Sequence, residues 1–152
     1  MGKKKIIVVD DEPLIPILMK EIIEEDKELE IARIVANKHE FLSLVAQDSF
    51  AAGIIDISID GREGGIELMD TIKLKGIDLP LIILSAHDEA LYAYKCLQAG
   101  ASGYINKRYI CSDVIRCLKE VFEGRLFVSG EKGESIIKKY KELNGSTKTQ
   151  SL

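Results

Sequence analysis

The sequence predicts an α/β domain built on a doubly wound, five-stranded parallel sheet with five surrounding helices, and three observations carry that prediction. Short β-branched runs alternate with amphipathic stretches along most of the chain. The strand runs are apolar throughout rather than alternating, as strands covered on both faces must be. Glycines and prolines fall between the runs, where turns and helix ends use them. Repeats of this kind wind with right-handed crossovers. Such a sheet carries its site outside the carboxyl ends of its strands, where the winding direction reverses.

The elements follow in order. Residues 6–9 form the first apolar run, and Leu14, Leu18, Ile22 and Ile23 mark the helix after it. Pro13 opens that helix, where its missing N–H costs nothing, and Pro16 still lies in the first turn. Residues 31–36 read as the second strand, with residues 41–45 inside the next helix. Residues 51–55 are the third strand, followed by a helix through Ile66, Leu68, Met69 and Ile72. Pro80 precedes the fourth strand, residues 81–84, and Ala90, Tyr94 and Leu97 mark the fourth helix. Residues 103–105 are a short fifth strand. Ile110, Val114, Ile115, Leu118, Val121 and Phe122 recur at helical spacing after it. Gly76, Gly100 and Gly124 follow helical runs as C-caps.

The 152 residues fit one domain, placed at 4–124, with a tail over 125–152. In the tail, Leu126-Phe127-Val128-Ser129 leads to an amphipathic stretch at Ile136, Ile137, Tyr140 and Leu143. The polar residues 144–152 are expected to be disordered. Apolar residues at 46% supply a core, and a net charge of -4 argues against nonspecific binding to nucleic acid or membrane. Lys132, Lys138, Lys139 and Lys141 are read as a solvated helix face. The basic start, Lys3-Lys4-Lys5, precedes an apolar run too short for a signal peptide, and position 6 is Ile6 rather than the hydroxyl residue of a myristoylation signal. Cys96, Cys111 and Cys117 show no CxxC spacing and are expected to be packing residues in a reducing cytoplasm.

The chemistry sits at the strand ends. The first strand runs into Asp10-Asp11-Glu12, the third into Asp56, the fourth into Ser85-Ala86 and the fifth into Lys107. Each alone has an ordinary explanation, since acids and serines cap helices and most lysines are solvated. Their joint occurrence at successive strand ends does not. Carboxylates about 4 Å apart repel by roughly 4 kcal/mol per pair at an effective dielectric near 20. An oxygen-loving dication removes that cost, and Mg2+, which accepts a few carboxylates and keeps its waters, suits the set. The same ion lets a carboxylate attack phosphorus, with Lys107 and Ser85 placed to meet phosphoryl oxygens.

These segments resemble the receiver domains of bacterial two-component response regulators over roughly residues 4–124. The resemblance rests on Ile6-Ile7-Val8-Val9-Asp10-Asp11-Glu12-Pro13, Ile54-Ile55-Asp56, Leu84-Ser85-Ala86 and Ala99-Gly100-Ala101-Ser102-Gly103-Tyr104-Ile105-Asn106-Lys107. It implies a flavodoxin-like fold and phosphorylation of Asp56 by a histidine kinase or small phosphodonors. It implies Mg2+ held by Asp10, Asp11, Asp56 and the backbone carbonyl of Ser58. Ser85 would be the switch hydroxyl, Tyr104 the aromatic partner that turns inward on phosphorylation, and Lys107 the phosphoryl-contacting lysine. Ser58 and His87 occupy the two positions that tune phosphoryl lifetime in this family, where a neutral imidazole can orient or block water. Such a protein is a self-phosphorylating and self-dephosphorylating switch in the cytoplasm rather than an enzyme acting on a separate substrate.

The chain also departs from the family pattern. Asp60 stands where a proline is usual, and the loop of residues 58–65 is one residue longer, which predicts a more mobile loop. Arg108 follows Lys107 in place of the common proline. The tail resembles the linker of LuxR/NarL-type regulators, which leads to a DNA-binding domain. The expected reading is a fragment ending before that output domain, able to dimerise on phosphorylation. The alternative is a stand-alone receiver serving as a phosphorelay intermediate or a protein-binding adaptor. An aspartyl phosphatase needs a second acid two residues after its nucleophile, where Ser58 stands. A nucleotide-binding loop after the first strand would be repelled by Asp10-Asp11-Glu12.

Overall fold

The computed structural model describes residues 2–61, 63–87 and 90–151, with side chains described through residue 145. Arg62, in the loop after the third strand, and the terminal Leu152 lie outside the described residues. Six strands, β1 (Lys4–Val9), β2 (Leu29–Val35), β3 (Ala52–Asp56), β4 (Leu81–Ser85), β5 (Gly103–Asn106) and β6 (Phe127–Val128), form one sheet. Their order is β2-β1-β3-β4-β5-β6, and every adjacent pair is parallel. Between them run α1 (Leu14–Ile23), α2 (Lys38–Gln47), α3 (Gly64–Leu74), α4 (Ala90–Gln98) and α5 (Ile110–Phe122), and α6 (Gly133–Ser151) follows β6.

Successive strand residues point to opposite faces, and the apolar runs therefore feed two separate cores. Ile7, Val9, Ile55 and Ile83 pack with Phe41 of α2, Met69 and Ile72 of α3, and Ala93 and Leu97 of α4. Ile6, Val8, Ile54, Ile82 and Ile105 pack with Met19 and Ile23 of α1 and Val114 and Leu118 of α5. The strand members of both groups are fully buried, each contributing about 1.5–3 kcal/mol. The chain leaves β1 toward β2 on one side and places β3 on the other. The switch point thus falls at the carboxyl ends of β1 and β3, beside Asp10 and Asp56.

Several expectations are corrected. The sheet has a sixth strand, a two-residue pairing of Phe127 and Val128 with Gly103 and Tyr104. The segment after Gly124 is therefore part of the same layered body, with Ile136, Ile137 and Tyr140 of α6 packed on the α2–α3–α4 core. Tyr140 meets Tyr94 edge to face at 5.8 Å between ring centres. The backbone of α6 is helical to Ser151. Leu143, assigned to the packed face of that helix, is 54% exposed.

In α1 the predicted stripe holds at Ile22 and Ile23 and fails at its first two positions. Leu14 and Leu18 are exposed, while Pro16, Met19 and Ile23 face the core. Cys96 and Cys117 are buried as expected, but Cys111 is exposed at the start of α5. The long loop after β3 is anchored. Ile59 is fully buried, and the Asp60 carboxylate accepts the Lys38 N–H at 2.8 Å, tying the loop to the start of α2. Asp60 and Glu63 take positive φ there, at 54° and 58°.

Glycine matters most at the start of α6. A β-carbon on Gly133 would lie 1.9 Å from the Val128 carbonyl oxygen, whereas one on Gly145 of the same helix meets nothing within 4 Å. Gly133→Ala is expected to push α6 off β6 and cost about 1–3 kcal/mol. Gly145→Ala is expected to be neutral or to gain up to about 1 kcal/mol. Paired thermal melts check this, and equal midpoints for the two variants would show that α6 is not seated on Val128.

Candidate functional site

Asp10 follows the last residue of β1 and keeps the strand's pairing through its N–H, which donates to the Val35 carbonyl at 3.0 Å. Its Oδ1 accepts the Glu12 N–H at 2.8 Å, a local turn that reverses the chain into α1. Asp10 is 4% exposed, and its Oδ2 is buried with no hydrogen-bond donor among the described residues. Asp56, the last residue of β3, is equally enclosed. Carboxylate oxygens of Asp10, Asp11 and Asp56 all lie within 4.8 Å of one another. Burial pushes the Asp10 carboxyl up from its ordinary 3.8 to about 7, the Glu12 N–H opposes this, and the Asp56 charge adds to the rise.

Both oxygens of Asp56 are oriented. Oδ1 accepts the Ser58 N–H at 3.1 Å and the Ser58 hydroxyl at 3.0 Å, and Oδ2 faces Lys107 Nζ at 3.3 Å. The Ser58 carbonyl accepts the Gly61 N–H at 3.2 Å, so one of its lone pairs is engaged in the loop's own turn. Ser85, fully buried at the end of β4, accepts the His87 N–H on its hydroxyl oxygen at 2.9 Å. The His87 carbonyl accepts twice, from Tyr104 Oη–H at 2.7 Å and from Asn106 Nδ2 at 3.0 Å. The His87 ring stacks on Tyr92, with centres 4.0 Å apart and planes 5° from parallel. Tyr104 is 3% exposed, so its ring is buried here.

The sequence-predicted acids, Ser58 and Lys107 converge as the strand-end rule requires. Ser85, His87 and Tyr104 form a second, linked group through the turn after β4. Three clustered carboxylates, one with a buried oxygen that no donor among the described residues reaches, make a set of hard oxygen ligands that fits a dication. Lys107 offsets only part of their charge.

Residues 6–119 match the family model described as the response regulator receiver domain. The chain belongs to the response regulator receiver domain family. Among relatives of this receiver are a nitrate/nitrite response regulator protein homolog of Haemophilus influenzae, 25% identical across 93% of this chain and 68% of that protein. Another is the transcriptional regulatory protein DegU of Brevibacillus brevis, 25% identical across 99% of this chain and 63% of that one. The chain thus spans about two thirds of the length of these curated relatives. A LuxR-family two-component response regulator from Aurantimonas sp. SI85-9A1 has the same fold, with a TM-score of 0.80 and 22% identity over 92% of this chain and 99% of that one. The LuxR/NarL type expected from the sequence is the type these comparisons return. No helix among the described residues is long and apolar enough to cross a membrane.

Two residues of the receiver's rim carry no assignment from the sequence. Asn106 is buried and bonds through both ends of its amide, and the Ser129 hydroxyl accepts the Asn106 N–H at 2.8 Å. The signal for Asn106 was its place between an apolar strand and Lys107. Ser129 gave no signal, because β6 itself is too short to stand out.

Proposed function

We propose that this receiver accepts a phosphoryl group from a sensor histidine kinase onto Asp56 and thereby controls an output, a DNA-binding transcriptional domain of LuxR type. The observation that carries the reading is the buried Asp56 carboxylate held between Ser58 and Lys107, beside an Asp10 oxygen that has no donor among the described residues. Asp10, Asp11, Asp56 and the Ser58 carbonyl are the residues that would hold Mg2+. When bound, Mg2+ supplies positive charge against the carboxylates and the incoming phosphoryl oxygens.

An Asp56 oxygen attacks phosphorus. The new O–P bond forms as the bond from phosphorus to the donor breaks, and the electron pair leaves with the donor's imidazole nitrogen or, for acetyl phosphate, with acetate. Lys107 meets one phosphoryl oxygen as a point charge. Ser85 turns from its contact with the His87 N–H to donate to another, which shifts the loop after β4 and the His87 carbonyl that Tyr104 and Asn106 hold. Ser58 and His87 stand where water approach is tuned. The protein is then a cytoplasmic phosphoacceptor that catalyses only its own phosphorylation and hydrolysis, and it dimerises when phosphorylated.

Wild-type protein incubated with acetyl phosphate and Mg2+ is expected to gain the mass of one phosphoryl group, and EDTA is expected to suppress the gain. Intact mass spectrometry reads both. A protein that gains no mass with Mg2+ present does not act as a phosphoacceptor.

A further inference from the structure

We propose that Asn106 is a positioning residue for phosphoryl transfer: its side chain fixes Lys107 against Asp56 and couples that lysine to the loop after β4. The proposal rests on the phosphoryl reading above and adds to it a residue that determines where the lysine stands.

Asn106 ends β5 immediately before Lys107 and is 7% exposed. Lys107 is the first residue of a 3-10 turn, Lys107–Tyr109, that leads into α5. Asn106 sits at the N-cap of that turn with extended backbone, and its Oδ1 accepts the Arg108 N–H at 3.0 Å. A proline at position 108, common in the family, has no N–H to give. Here Arg108 supplies the donor, and a side-chain cap fixes the turn in place of a ring. The turn sets the Lys107 backbone, and from it the ammonium reaches Asp56 Oδ2 at 3.3 Å.

The other end of the amide faces the switch. Nδ2 donates to the His87 carbonyl, the same oxygen that takes the Tyr104 hydroxyl, while the His87 N–H rests on Ser85. The single residue His87, bonded at its N–H and at its carbonyl, and one side-chain amide therefore join the Ser85 hydroxyl to the turn that carries the lysine. The Asn106 N–H in turn donates to Ser129, just past β6, and the Ser129 N–H donates to the Tyr104 carbonyl at 2.9 Å. The rim of β5 is thereby clamped from both sides. A buried amide that bonds at both ends is costly to leave half satisfied, so displacement of the His87 carbonyl is transmitted to Asn106.

The two ends separate by substitution. Asn106→Ala removes the contacts to the His87 carbonyl and the Arg108 N–H. Asn106→Ser keeps a short capping oxygen but has no amide to reach His87. With acetyl phosphate and Mg2+, Asn106→Ala is expected to slow Asp56 phosphorylation about 10-fold, the effect of moving a charged group by a fraction of an ångström to an ångström. Asn106→Ser is expected to recover most of that rate. Exchange of the His87 amide hydrogen is expected to rise in both variants. Because Asn106 acts through the lysine, Asn106→Ala placed in a Lys107→Ala background should slow the reaction no further. A full 10-fold loss in that background would reduce Asn106 to a structural role and overturn the proposal. So would a wild-type rate in Asn106→Ala, or a serine variant as slow as the alanine one. A wild-type protein that takes no phosphoryl group counts against the acceptor reading itself, and the proposal falls with it. A competent wild type with an unaffected Asn106→Ala counts against Asn106 alone.

Discussion

Asp56→Asn protein is expected to fold, to melt within about 4 °C of the wild type, and to take up no phosphoryl group where the wild type is converted. The amide oxygen can replace Oδ1 as acceptor for the Ser58 N–H and hydroxyl, so the turn after β3 survives. The amide nitrogen then faces Lys107, donor against donor, and that pair is lost. Against this loss stands relief for Asp10 and Asp11, which no longer share their space with a third negative charge. The two changes oppose each other, which is why little net effect on stability is expected. The chemical effect is not balanced in this way, because an amide is no nucleophile toward phosphorus. Intact mass after acetyl phosphate treatment measures it. A mass gain that persists in Asp56→Asn would place the acceptor elsewhere.

The second large effect belongs to Asp10→Asn, and its sign depends on what is measured. In the protein without metal, the Asp10 carboxyl is raised to about 7, chiefly by burial, above an ordinary value of 3.8. Between those values the folded state holds a proton that the unfolded chain has released. The contribution of this group to stability is therefore full below pH 4, declines as pH rises, and is lost above about 7. Asparagine carries no such dependence. Asp10→Asn is expected to melt like the wild type at pH 4 and about 3–6 °C higher at pH 8, both in EDTA. Mg2+ is expected to raise the melting point of the wild type but not of the variant. Phosphorylation with Mg2+ present is expected to fall by about 100-fold or more, since the ligand set is broken. A variant that is no more stable than the wild type at pH 8 in EDTA would show that the Asp10 charge is not strained by its burial.

What was legible in the sequence follows from the range over which each signal acts. Asp10, Asp56 and Lys107 could be placed because they end strands, and a parallel sheet brings its strand ends together whatever the helices do. The orientation of α1 could not be placed. Apolar residues stand at 14, 15, 17, 18, 19, 22 and 23, so two phases of a 3.6-residue repeat fit equally well. Only the fold shows that Met19 joins Ile23 on the inward face while Leu14 and Leu18 face out. Phe127 and Val128 are too few to read as a strand by periodicity, and they join the sheet because the open edge of β5 offers them a ladder. Asn106 was passed over for another reason. A polar residue at a strand end looks like ordinary loop chemistry until its partners, separated from it by 19 and 23 positions in the chain, are known.

The division of the interior into two cores has a consequence for communication. Side chains on the α1–α5 side and those on the α2–α3–α4–α6 side are kept apart by a layer of strands whose own residues each fill one side or the other. On the phosphoacceptor reading, a change at Asp56 is expected to pass along the open lip where the strands stop, because at that lip stand the groups with hydrogen bonds to exchange.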